Sequence, residues 1–234
     1  MKAVILAGGL GTRLRPFTEV IPKPLLPVGE KSVLEIQINQ LKKHGVGEVF
    51  LATNYKSEYI EQFFGDGSRY GIRLKISKEK IPLGTAGPLC LLKDELTEPF
   101  ILMNGDILTT LDFADLYAAG ASSRADLTVA VKKLVMPFEF GDIISEGDYI
   151  VAIQEKPDIE REVVAGVYVM KPPVLRLIPE NTYFGMDELI KTMLHEGLPI
   201  ARYTVRDYWL DIGQVPDYEE AQAIYESHFK VAAQ

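Results

Sequence analysis

Cysteine, histidine, long apolar runs and excess basic charge are all scarce in this chain, and each scarcity excludes something. A single cysteine, Cys90, occurs in 234 residues, so no disulfide can close within the chain. Cys90 lies in an apolar stretch and reads as a small core residue, not a nucleophile. No stretch reaches the roughly 18 apolar residues of a membrane span. The apolar run after Lys2 stops at Gly8, too early for a signal peptide, so the protein reads as cytoplasmic. The three histidines, His44, His195 and His228, fall in or near predicted helices among polar residues and read as surface positions, with no Ser–His motif beside them. Lys and Arg number 25 against 33 Asp and Glu, a net charge of −8, which argues against a general nucleic-acid binder. Internal repeats and low-complexity linkers are also missing.

What remains is an ordinary globular composition, 47% hydrophobic and 25% charged, at a length that fits one large domain with a sizeable core. Apolar runs predict strands at Glu48–Thr53, Arg73–Ser77 and Phe100–Met103. Helices are predicted between them, at Ser32–Lys43, Lys56–Phe64 and Gly84–Leu96. This alternation predicts a largely parallel sheet covered on both faces, with ligands bound beyond the carboxyl ends of the strands. The second half changes character. Strands are expected at Asp126–Leu134, Gly141–Ser145, Tyr149–Gln154 and Val163–Met170, as antiparallel additions or a packed subdomain. A short helix from Pro172, an amphipathic helix over Met186–Leu194, a strand at Ile200–Val205 and a helix at Pro216–Phe229 close the chain.

The chemistry concentrates near the amino terminus. An apolar strand ends in Gly8-Gly9-Leu10-Gly11, followed by Thr12-Arg13-Leu14-Arg15-Pro16 and Ile21-Pro22-Lys23-Pro24-Leu25-Leu26-Pro27. Glycines let the backbone turn sharply and approach a ligand, and successive N–H groups in such a turn form an anion-binding concavity. Arg13, Arg15 and Lys23 add three positive charges in an acidic chain, which points to an anion, most simply phosphate. No Gly-Lys-Ser/Thr follows Gly11, which excludes a Walker A loop. Leu14 stands where a dinucleotide fingerprint needs its third glycine. A bare glycine pattern could equally be a plain strand-to-loop turn; the arginine and proline-lysine continuations favour function. Asp106 in Asn104-Gly105-Asp106 and Asp211 in Trp209-Leu210-Asp211 each end a predicted strand. Each is either a turn residue or a metal ligand. Two carboxylates beside a phosphate loop suit a hard cation such as Mg2+.

The run from Leu6 and Ala7 to Pro27 resembles the signature of the sugar-1-phosphate nucleotidyltransferases, or nucleotide-sugar pyrophosphorylases. The likeness continues at Gly84-Thr85-Ala86-Gly87, Asn104-Gly105-Asp106, Glu155-Lys156-Pro157, Ala165-Gly166-Val167-Tyr168 and Trp209–Gly213, nearly the full chain. It implies an α/β, Rossmann-like three-layer fold with a mixed, mostly parallel central sheet, similar to glycosyltransferase-A folds, plus a small antiparallel sugar-binding part. It implies one catalytic domain over 1–234, with 1–112 mainly nucleotide-binding and 113–234 mainly sugar-phosphate-binding. Some relatives carry a hexapeptide-repeat tail; this chain looks like the catalytic core alone. The implied reaction joins a nucleoside triphosphate to a sugar 1-phosphate and releases pyrophosphate. Arg13, Lys23 and Asp106 become catalytic, and Asp106 and Asp211 become the Mg2+ pair. Leu6, Ala7, Gly8, Gly9, Gly11 and Thr12 would hold the nucleotide with Arg13, while Gly84 and Thr85 face the nucleoside. Asn104, Gly141, Glu155, Lys156, Gly166 and Tyr168 would hold the sugar phosphate, although Lys156 alone reads as a surface lysine before a proline.

Relatives using thymidine or uridine triphosphate carry a glutamine where this chain has Glu79. A carboxylate only accepts, which matches the adjacent N1–H and 2-amino donors of guanine. The segment Pro82–Leu89 also looks most like the mannose-1-phosphate guanylyltransferase branch, while Glu79 can alternatively be a solvated charge in Lys78-Glu79-Lys80. The expected substrates are guanosine triphosphate with mannose 1-phosphate or a manno-configured heptose 1-phosphate. The rivals are a thymidylyl- or uridylyltransferase acting on glucose 1-phosphate, and a non-catalytic nucleotide-sugar sensor. Neither nucleic acid nor membrane is expected as a partner, and some catalytic cores of this kind self-associate into homo-oligomers.

Overall fold

A computed structural model describes residues 1–230 of the 234. In chain order, β1 (Lys2–Leu6) leads through the glycine loop to a one-turn helix α1 (Phe17–Val20) and a small hairpin, β2 (Pro27–Val28) and β3 (Lys31–Ser32). Helix α2 (Val33–Lys43), β4 (Glu48–Thr53), α3 (Ser57–Phe64), β5 (Arg73–Lys78), β6 (Phe100–Asn104) and β7 (Ile107–Thr109) complete the first half. The second half comprises α4 (Phe113–Ser122), β8 (Leu127–Pro137), β9 (Asp142–Glu146), β10 (Tyr149–Gln154), β11 (Asp158–Met170), α5 (Met186–His195), β12 (Ile200–Val205), β13 (Trp209–Asp211) and α6 (Val215–His228).

Seven strands form the central sheet in the order β12-β8-β11-β6-β1-β4-β5. Neighbours run parallel except β11, which is antiparallel to both β6 and β8. Side chains alternate across the sheet, so β1 sends Ala3 and Ile5 to one face and Val4 to the other. The first face packs Leu34, Ile38 and Leu41 of α2, Ile60 of α3 and Leu116 of α4. The opposite face packs Leu89, Leu92, Met186, Leu189 and Met193. A third cluster joins Leu14 and Leu26 of the signature loop to Leu108, Leu210, Ile212 and Tyr225, which holds β13 and α6 against the amino-terminal segment. No helix among the described residues is long and apolar enough to cross a membrane.

Two expectations need correction, and one helix was not expected. The helix expected over Gly84–Leu96 is a 3-10 helix over Gly87–Leu92 only: Gly84 stands at φ +83, outside the right-handed helical region, and the Leu83 carbonyl that would take the first helical amide accepts instead from the distant Phe184 amide. Helix α4 escapes the sequence reading although Asp112 caps it, accepting from the amides of Ala114 and Asp115. Its alanine-rich body lacks a strong apolar stripe. His44 is not a surface residue: its side chain is largely covered and its Nδ1 lies 3.1 Å from an Asp112 carboxylate oxygen.

Candidate active site

β1, β4, β5 and β6 all end at one edge of the sheet, and the cleft opens there with a volume of about 520 Å³. Its wall brings together Leu6, Gly8, Gly9, Gly11, Thr12, Arg13 and Lys23 from the amino-terminal run with Glu79, Gly84, Thr85, Asn104 and Asp106. Glycine is required at two points of closest approach. Gly11 sits at φ +61 with Thr18 Cγ2 2.8 Å from where a Cβ would stand. A Cβ on Gly105 would meet the Leu6 carbonyl oxygen at 2.5 Å. Leu6 also accepts from the Gly105 amide at 3.0 Å, so β1 supports the turn that presents Asp106.

The two acids come from residues 105 positions apart and are joined through backbone. β13 runs antiparallel to β7 with Asp211 opposite Ile107, and the Ile212 amide donates to the Asp106 carbonyl at 3.0 Å. Trp209 Nε1 donates to the Ala165 carbonyl at 2.7 Å and so ties this ladder to β11. Lys23 Nζ donates to Asp106 Oδ2 at 2.6 Å, while Asp106 Oδ1 is buried and makes no hydrogen bond. The Arg13 guanidinium lies 3.5 Å from where a Gly213 Cβ would stand. Asp211 is exposed and is not itself among the residues lining the cleft, yet partial burial of its carboxyl and the Asp106 charge push it up to about 6. Lys23 and Arg13 oppose that shift.

These features fit a divalent cation. An unpartnered buried carboxylate oxygen beside a second carboxylate resisting ionisation is a donor set short of positive charge. Among the described residues no third His, Cys, Asp or Glu joins them. The remaining ligands would therefore come from phosphate oxygens and water, as Mg2+ prefers.

Farther along the cleft wall, Glu79 Oε2 accepts from the Leu83 amide at 2.9 Å. Partial burial raises the Glu79 pKa, against the hydrogen bonds from Leu83 and from the Asn54 side chain. Gly84, at φ +83, packs on the Phe184 backbone, and the Thr85 hydroxyl accepts from the Met186 amide at 2.8 Å. Asn54 and Tyr183 also line the cleft and were missed. Asn54 follows a correctly read strand and could have been flagged; Tyr183 sits in a loop without a sequence signal.

Other candidates lie elsewhere. Ala7 is buried behind the loop, 1% exposed. Gly166, at φ +68, stands beside Asn104, whose Nδ2 lies 2.8 Å from where a Gly166 Cβ would be, but is not itself among the residues lining the cleft. Gly141, Glu155 and Lys156 are not among the residues lining it; Gly141 and Glu155 lie together beside the β9–β10 hairpin, and Lys156 stands exposed at φ +44. Tyr168 is not among the lining residues either. It is 4% exposed, pairs with Leu102 two residues before the end of β6, and packs into the core, where burial and the Asp187 charge push its phenol up to about 12.

The family model described as nucleotidyl transferase matches residues 2–228. The chain belongs to this family. The mannose-1-phosphate guanylyltransferase catalytic subunit beta of Danio rerio is 37% identical over 96% of this chain. The chain spans 64% of that protein's length, so it matches less than two thirds of its curated relative. Among solved structures, a putative glucose-1-phosphate thymidylyltransferase from Bacillus anthracis covers 100% of the chain and 98% of its own, with a TM-score of 0.81 at 23% identity. HddC from Yersinia pseudotuberculosis, complexed with GMP-PN, covers 96% of the chain and 99% of its own, with a TM-score of 0.74 at 25% identity. This nucleotidyltransferase core therefore has the three-layer fold, with its mixed, mostly parallel sheet and small antiparallel additions.

Proposed function

We propose that the protein transfers guanylate from guanosine triphosphate to mannose 1-phosphate, giving GDP-mannose and pyrophosphate. The observation that carries this reading is the joining of Asp106 and Asp211 through the β7–β13 ladder, beside Lys23 and Arg13 at the glycine loop. Residues 1–112 hold the nucleotide and 113–234 supply most of the sugar-phosphate side. Glu79 accepts the two guanine donors; the relative named mannose-1-phosphate guanylyltransferase and the HddC complex with GMP-PN support that choice.

The attacking phosphate of the sugar is already an anion near neutral pH, since the second pKa of a phosphate monoester is about 6. No general base is required. The chain's task is alignment and charge neutralisation. Loop amides and Arg13 cradle the triphosphate and hold the departing pyrophosphate, and Lys23, beside Asp106 in the cleft, lies near the α-phosphate. Glu155 accepts from sugar hydroxyls, and Lys156 binds the sugar phosphate. Asp106 and Asp211 would hold Mg2+, which when bound supplies Lewis-acid charge and a template for phosphate oxygens. The presence of Arg13, Lys23, Asp106 and Asp211 counts against a sensor without chemistry.

A matrix of nucleoside triphosphates against sugar 1-phosphates, read by pyrophosphate release with Mg2+, tests the proposal. The expected maximum is guanosine triphosphate with mannose 1-phosphate, compared with manno-heptose and glucose 1-phosphates. Release in no pair overturns the reading; a maximum with thymidine or uridine triphosphate overturns the base assignment.

A further inference from the structure

Gln37 lies on α2, between Leu34 and Leu41 on its inner face, and is 2% exposed. Among the described residues no other Asn or Gln is buried as a whole residue. An amide in a core needs a reason, because its polar atoms lose water on burial. Both hydrogens of Gln37 Nε2 are committed to one short segment. Nε2 donates to the Asn104 carbonyl at 3.0 Å and to the Ile107 carbonyl at 2.8 Å. Those two carbonyls bracket Gly105-Asp106. Gln37 Oε1, by contrast, is buried and accepts no hydrogen bond. All the hydrogen bonding of this side chain therefore serves the turn. The reversed amide would set Oε1 against two carbonyl oxygens, so donor chemistry fixes the orientation.

The same turn is held on its other sides by the Gly105 amide on Leu6 and the Ile212 amide on Asp106. With Gln37, three elements grip four residues: β1, α2 and the end of β13. We propose that Gln37 is a positioning residue: it clamps the two ends of the Asp106 turn and so aims the Asp106 carboxylate, without touching substrate itself. The inference rests on the catalytic reading of Asp106 given above.

Gln37→Met keeps the side-chain length and removes both donors; Gln37→Glu keeps the shape and sets an acceptor against two carbonyls. The clamp predicts that Gln37→Met lowers kcat by about 100-fold, the scale of an ångström-sized misplacement, with KM for guanosine triphosphate within about threefold of wild type. Gln37→Glu should be worse. Amide hydrogen exchange adds a readout independent of turnover: residues 105–107 should exchange at least about tenfold faster in Gln37→Met, while β4 stays as in wild type. Wild-type kcat in Gln37→Met, or faster exchange spread equally over β4 and the turn, overturns the proposal. Should neither variant fold, wild-type NMR still decides. The Gln37 side-chain NH2 protons must exchange far more slowly than those of exposed Gln62, and equal rates overturn the clamp. If wild type turns over no substrate pair, the catalytic reading fails, while exchange and NMR still judge the clamp itself.

Discussion

Lys23 and Asp106 form a close ion pair, and Asp211 shares the Asp106 field without a bonded cation of its own. Asp106→Asn keeps the shape and an acceptor for Lys23 but removes the charge. Turnover should fall by at least about a hundredfold, as when one element of transition-state charge stabilisation is lost, with the thermal midpoint near wild type. Wild-type pyrophosphate release in this variant would separate Asp106 from the chemistry. Asp211 gives a pH signature. Its folded pKa of about 6 lies above the unfolded value of about 3.9. The folded chain therefore binds more protons between those values, and this group's contribution to stability falls as pH rises from about 4 through about 6. With divalent ions chelated, Asp211→Asn should melt higher than wild type at pH 7.5, and the gap should shrink toward pH 5. Parallel melting profiles would contradict that electrostatic account. Glu79→Gln should lower kcat/KM for guanosine triphosphate about 10- to 100-fold, the worth of a hydrogen bond to a charged group. Unchanged base preference would remove Glu79 from recognition.

Among the elements, the β6–β7 turn bears the closest tolerances. Gly105→Ala forces a Cβ against the Leu6 carbonyl oxygen at 2.5 Å. The end of β1 or of β6 must shift, at a cost of about 1–3 kcal/mol as for other overpacked sites. Gly47→Ala is the control: nothing lies within 4 Å of its new Cβ, and stability should change by less than about 0.5 kcal/mol. Denaturant unfolding checks both. The sequence reads well where an element is decided locally. β4, β10 and β12 match their expected bounds because apolar runs there end at turn-forming residues. Ser32 caps α2 as expected, accepting from the Glu35 amide. It reads poorly where a distant group competes. The Phe184 amide takes the Leu83 carbonyl that would have opened a helix from Gly84, and no local pattern announces that.

At the scale of the whole molecule, the strand-terminal acids and the loop cations were legible because their motifs are local. Gln37 and Tyr183 were not, because they reach the site through tertiary packing alone. Tyr168 sat inside a recognisable motif yet faces the core, since only the register of β11 on β6 decides which motif residues look into the cleft. We propose that Asp106 and Asp211, joined through β7 and β13, act as a single working unit. The kcat values of Asp106→Asn, Asp211→Asn and the double variant test this most directly. Groups that act as one unit are non-additive, so the double variant should be no more than about threefold worse than the more damaged single variant. Losses that multiply, or a single variant that turns over like wild type, would mean that the two acids work apart.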